Sequence, residues 1–126
     1  MLDPDAPSRG NPTERSFIHW MVVNIPLSNV SKGQTIVEYF GSDPPLNTGF
    51  HRYTFLLFKQ DSNLDFDEAY ISKTSFEERK GFSIQKFTNK YNLGHPVGGN
   101  FFLAEYEAIQ MDIKLKQQPL TIHLPR

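Results

Sequence analysis

The residues able to do chemistry in this chain are few and lie in separate segments. They are Asp3 and Asp5 in Asp3-Pro4-Asp5-Ala6-Pro7, His19, and His51 and Tyr53 in Gly49-Phe50-His51-Arg52-Tyr53. A carboxylate beside an imidazole fixes its tautomer and favours its charged form. Two such imidazoles, joined by glycine N–H groups, would make a small polar pocket for a phosphate or carboxylate. The same set could be read as two histidines and an aspartate ligating Zn²⁺ in a metal-dependent or acid–base enzyme. That reading ranks lower, because no H-E-x-x-H spacing exists and the residues come from three segments. Nothing marks a nucleophile, since Ser8 and Ser42 lack a G-x-S-x-G context. A third reading is an interaction module whose pocket docks a phosphorylated or acidic segment of a partner. Against all three stands a plainer one: a lone histidine on an apolar strand is more often a hydrogen-bonded core residue.

The elements that must position these groups read as strands. Pro4, Pro7 and Pro12 make residues 3–15 a bent segment, neither helix nor central strand, with Ala6-Pro7 a candidate cis bond. It is either a surface turn or a rigid rim that holds carboxylates. Residues 17–25 are almost continuously apolar and rich in β-branched and aromatic side chains, which predicts one strand ended by Pro26. Period two would put His19 on a face with Met21, Val23 and Ile25. Residues 27–34 read as a loop that carries a glycosylation sequon, Asn29-Val30-Ser31, and residues 35–40 as a short strand. Gly41 to Gly49 is a stiff loop with a glycine at each end and Pro44-Pro45 within, open to close approach of a ligand. Residues 50–60 predict a long strand, buried on both faces, that starts at a pocket rim and dives into the core. Ser75-Phe76-Glu77-Glu78 has the pattern of a capping box. Residues 83–92 predict a helix capped by Ser83, with Ile84, Phe87 and Tyr91 on one side. Gly98-Gly99 predicts a turn, and residues 100–106 a last strand. Ile109, Ile113 and Leu115 give residues 109–126 a weak helical pattern that Pro119 and Pro125 break, so this tail is expected to be partly helical or disordered.

Composition narrows the classes. A chain of 126 residues suits one domain and should bury about 65% of its unfolded surface. With 38% hydrophobic and 21% charged residues it is globular rather than disordered. The net charge of −1 and the lack of a basic run speak against nucleic acid. No cysteine is present, so disulfide scaffolds and thiolate chemistry are excluded. No apolar run would span a bilayer, and no leader is visible before Asp3.

Taken together, Asp3-Pro4-Asp5-Ala6-Pro7-Ser8-Arg9, His19-Trp20-Met21-Val22-Val23-Asn24-Ile25-Pro26 and Gly49-Phe50-His51-Arg52-Tyr53 closely resemble the phosphatidylethanolamine-binding protein family. That family includes the Raf kinase inhibitor proteins and the plant flowering regulators. Lys90-Tyr91-Asn92-Leu93 and Pro96-Val97-Gly98-Gly99-Asn100-Phe101-Phe102 fit as well, so the likeness runs over residues 2–107. The resemblance implies a mainly β fold, an antiparallel β-sandwich with short helices near the C-terminus. It implies one family-like domain over 1–108, with 109–126 a tail. It implies an anion pocket for phosphate-bearing headgroups such as phosphatidylethanolamine, built from Asp3, Asp5, His19, Gly41, Pro45, His51 and Tyr53. It further implies a non-enzymatic, monomeric protein without cofactor or metal that regulates a kinase or serine protease, expected in the cytoplasm as most members are, although some are secreted.

The sequence departs from the pattern in places. Members carry several strands before the first motif, so a truncated chain with a bare sheet edge is expected. The alternative to the pocket reading is then a truncated product with no completed pocket, acting, if at all, through protein contacts. Asp43 stands where many animal members have glycine, and if turned inward it would repel an anion. Phe17 replaces a tryptophan common at the pocket wall. The tail lacks the usual final helix with its lid tyrosine.

Overall fold

The computed structural model describes residues 1–108. The tail pattern at 109–126 lies outside the described residues. The order is β1 (Leu2–Asp3), β2 (Phe17–Ile18), β3 (Met21–Val23), β4 (Gln34–Val37), β5 (His51–Leu57), α1 (Ile84–Lys90) and β6 (Gly98–Ala104). Two 3₁₀ turns, Val30–Lys32 and Glu77–Arg79, interrupt the loops. One sheet has the order β2-β1-β5-β6, antiparallel throughout. The other is the antiparallel pair β3-β4. The mainly β, antiparallel architecture expected from the sequence is present.

Several local expectations fail, each for a physical reason. Residues 17–25 are not one strand. Between β2 and β3 the N–H groups of His19 and Trp20 both donate to the Met1 carbonyl, and the His19 carbonyl accepts from Phe40. The chain thereby leaves one sheet and enters the other, and His19 shares no simple period-two face with Met21 and Val23. Residues 3–15 do begin in a central strand, because Leu2 pairs Ile18 on one side and Thr54 on the other. The strand at 35–40 is shorter, ending at Val37. No capping box forms at Ser75: the following turn has no side-chain cap, because the Ser75 carbonyl accepts from Arg79 and its hydroxyl bonds Ser72. Gly98 and Gly99 are not a turn but the start of β6. A Cβ at Gly99 would stand 2.9 Å from the Phe55 carbonyl oxygen, so glycine is what lets β6 close on β5.

β5 is inverted relative to expectation. Its polar head is buried, with His51 and Tyr53 each 1% exposed, while Leu57 at its apolar end is 58% exposed. The core lies elsewhere. Leu2, Ile18, Val23, Ile36, Val37, Phe66 and Phe87 form it, with Met21, Leu64 and Ile84 packed alongside. α1 reaches this core through Phe87, whose ring lies 5.9 Å from that of Phe66. Losing such a buried ring costs about 3–5 kcal/mol. Ser83 caps the helix as its type predicts, its hydroxyl accepting from the Lys86 N–H at 3.2 Å.

Candidate functional site

The N-terminal bend places two carboxylates two residues apart and sends them in different directions. Asp3 is the last residue of β1, beside β5 in the sheet. One of its oxygens accepts the Asp5 N–H at 2.8 Å and the other lies 2.7 Å from Nδ1 of His51. A carboxylate can only accept here, so Nδ1 carries the proton. Nε2 of His51 lies 2.8 Å from the Thr48 hydroxyl, which also donates to the Pro45 carbonyl at 2.7 Å. Both nitrogens of His51 are therefore occupied. The single Thr48 proton has two acceptors, Pro45 and a neutral His51.

Asp5 is buried and faces Arg52. Its oxygens accept from the Arg52 backbone N–H at 2.9 Å, from Nε at 2.9 Å and from Nη2 at 2.7 Å. The Arg52 hydrogen bonds hold its carboxyl down to about 2. Asp5 is thus a clamp between the first bend and β5, not a group turned to a ligand.

His19 sits in an aromatic box, with ring centroids 4.9 Å from Phe17, 5.9 Å from Phe40 and 5.2 Å from Tyr53. Its Nδ1–H donates to the Phe40 carbonyl at 2.8 Å. Burial lowers its pKa below the usual histidine value. No partner among the described residues meets Nε2, yet no described buried nitrogen or oxygen is left unpaired. Burial, and then the Asp3 charge, push the Tyr53 hydroxyl well up, so it stays a neutral donor. The Asp43 backbone N–H approaches this hydroxyl, while the Asp43 side chain belongs to an exposed residue.

The structure therefore brings Asp3, His19, His51 and Tyr53 together: the Tyr53 ring lies between the two imidazoles, 5.2 and 6.4 Å from them. Pro45 enters only through its carbonyl, and Gly41 packs near Tyr39 without a bond to the cluster. An open hollow of about 770 Å³ adjoins the cluster, lined by Asp43, Pro44, Phe50, Leu103 and Tyr106 among others. Among the described residues, no three His, Asp or Glu side chains are placed to hold a metal. The zinc grouping fails on geometry, since Asp5 is taken up by Arg52 and His51 by Asp3 and Thr48.

Two participants escape a reading of the sequence. Thr48 could have been found, because a hydroxyl three residues before a histidine can reach its ring. Arg79 could not. It is fully buried, and all five guanidinium N–H groups are matched by backbone carbonyls: Ser75, Ile18, His19, Glu38 and Ser72, at 2.8 to 3.1 Å. Backbone partners leave no side-chain signature. No carboxylate among the described residues forms a salt bridge with it, and its guanidinium lies 5.7 Å from the Phe40 ring centre.

The family model described as phosphatidylethanolamine-binding protein matches residues 1–102. The chain is similar to "Putative odorant-binding protein A5" of Drosophila melanogaster, 45% identical over 107 residues, covering 85% of this chain and 51% of that protein. It is similar in structure to the CG7054 solution structure, at 43% identity and a TM-score of 0.70, over 85% of this chain and 60% of that one. It is also similar to a carboxypeptidase Y inhibitor solved in complex with its cognate proteinase, at 30% identity and a TM-score of 0.62, over 84% of this chain and 57% of that one. The chain spans about half the length of that Drosophila relative.

Proposed function

The chain belongs to the phosphatidylethanolamine-binding protein family, and from that premise we propose that it is a non-enzymatic binding protein whose His19–Tyr53 crevice takes a small phosphate-bearing group. The observation that carries the reading is the polarity of what little remains open. A neutral tyrosine hydroxyl and a histidine nitrogen that has no hydrogen-bond partner among the described residues meet in an otherwise closed aromatic box. Behind them stands Arg79, a buried cation without a carboxylate partner among the described residues, bonded to the His19 carbonyl at 3.1 Å. For an anion in the crevice, Arg79 would offset the Asp3 carboxylate, whose charge also reaches His19 and Tyr53. The site residues divide by role. His19 and Tyr53 would touch the anion, and the Asp43 backbone N–H would help. Asp3, Thr48 and His51 would hold the wall, Asp5 would lock it to β5, and Pro45 would steady Thr48. Gly41 has no defined part in it.

Because burial disfavours the charged imidazole, His19 must take up a proton to donate to a bound anion. Affinity should therefore rise as pH falls through and below 6.5, the ordinary histidine value. The test is titration of the full chain with inorganic phosphate and, separately, with phosphoethanolamine, followed by NMR. His19→Gln and Tyr53→Phe should each weaken binding roughly tenfold, the effect of a lost charge-assisted hydrogen bond of about 1.5 kcal/mol. Unchanged affinity in both folded variants would sink the assignment. A clear preference for phosphoethanolamine would point to a lipid headgroup rather than free phosphate.

A second reading is favoured by one comparison and one surface. A structural relative is a carboxypeptidase Y inhibitor seen with its proteinase, and exposed Phe50, Leu103 and Tyr106 line the hollow beside the crevice. On this reading the chain inhibits a protease through protein contacts, or regulates a kinase in the same way, and the anion site tunes the docking.

A further inference from the structure

We propose that Asn29 is an N-glycan acceptor. The proposal is independent of the crevice reading. Asn29-Val30-Ser31 is the one usable acceptor triplet in the sequence; Asn11-Pro12-Thr13 has the same ends, but proline in the middle bars it. A triplet of this kind arises easily by chance, so the structure around it decides its worth.

Three observations support it. First, Asn29 and Ser31 are both exposed, at the tip of the loop that joins β3 to β4. That two-stranded ribbon has its other end beside His19 and Phe40, so a glycan at the tip projects away from the crevice. Second, the acceptor geometry is already formed. The Ser31 hydroxyl donates to the Asn29 Oδ1 at 2.6 Å. That bond draws electron density toward the carbonyl and makes the Nδ2 protons easier to lose. Asn29 precedes the 3₁₀ turn without capping it by its side chain, so Oδ1 is left to Ser31, and Nδ2 makes no hydrogen bond among the described residues. Third, the flanks are apolar and bare: Leu27 is 102% exposed and Val30 is 42% exposed. An unshielded leucine at a loop tip has no packing role in the described residues, and the first sugars of a glycan would cover it.

The step is a glycosyl transfer from a lipid-pyrophosphate-linked oligosaccharide. The Asn29 Nδ2 bonds to C1 of the reducing-end sugar as the bond from C1 to the pyrophosphate oxygen breaks. The lipid pyrophosphate leaves with the electron pair, and one Nδ2 proton passes to a base of the transferase. This requires passage through the secretory lumen, against the cytoplasmic expectation drawn from the family.

The full chain, expressed in eukaryotic cells behind a cleavable leader, should show a single mass shift that peptide N-glycosidase removes, leaving deamidation at residue 29. Asn29→Gln, Ser31→Ala and Val30→Pro should each abolish the shift, and Ser31→Thr should keep it. The glycosylated chain should match Asn29→Gln in far-ultraviolet circular dichroism, because the glycan leaves the fold untouched. Secreted protein without any glycosidase-sensitive mass, or a glycan that persists in Asn29→Gln, would overturn the proposal.

Discussion

Asp5 stands two residues from Asp3 and does different work. From sequence the two carboxylates look equivalent, as a pair stiffened by Pro4 and Pro7 and available to a ligand. Only one faces the histidine. Asp5 is saturated by three N–H groups of Arg52, with Arg9 also 3.6 Å away. Its folded pKa of about 2 lies below its ordinary 3.8, so the folded chain binds fewer protons than the unfolded one in that window. The stabilisation is fully present above 3.8 and is lost as pH falls through about 2. Asp5→Asn should cost about 1.5–3 kcal/mol at neutral pH, and the gap to the parent protein should close near the acid end. Urea unfolding across that range measures it. Motifs carry residue type, so Asp3, His19, His51 and Tyr53 were legible in the sequence, while Thr48 and Arg79 were not. It could not tell donor from clamp, because Arg52 alternates with His51 along β5 and only the register with β1 shows where its guanidinium goes.

Among the elements, legibility followed how local the cause was. α1 and its cap were readable because Ser83, Ile84, Phe87 and Tyr91 act within one stretch of chain. Ser83→Ala should lower stability by about 1 kcal/mol, seen as a shift in the unfolding midpoint with the slope unchanged. β5 was readable as a strand but not in its polarity. An apolar tail normally marks the buried end, yet here Asp3 and Thr48 satisfy His51, so the polar head can be buried. The break between β2 and β3 was invisible for a similar reason. It is made by the Met1 carbonyl and by Phe40, both remote from residues 19–20 in sequence or in type. Gly98-Gly99 misled because a glycine pair usually turns the chain, whereas here it admits a neighbouring backbone.

At the scale of the whole molecule, the sheet order β2-β1-β5-β6 puts the crevice on β1 and β5 and an exposed strand at one side. Among the described residues β6 pairs only with β5, and Phe101 and Leu103 are 58% and 51% exposed. Among the described residues that outer side of β6 is a surface on which a further strand or partner would add. The family likeness was the most legible feature of all, because a few well-spaced motifs identify a fold whose details they do not spell out.

Arg79 carries a consequence for how this molecule breathes. One planar ion is tied to residues 18–19, 38, 72 and 75, so those stretches cannot come loose one at a time without stranding a charge. The amide hydrogens of Glu38, Phe40 and Ile71, each bonded in the adjoining backbone, should then exchange with deuterium at a common free energy of opening. Arg79→Lys offers fewer donors and should split them into faster and slower groups. In the parent chain the floor of the crevice would exchange only when nearly everything around it does.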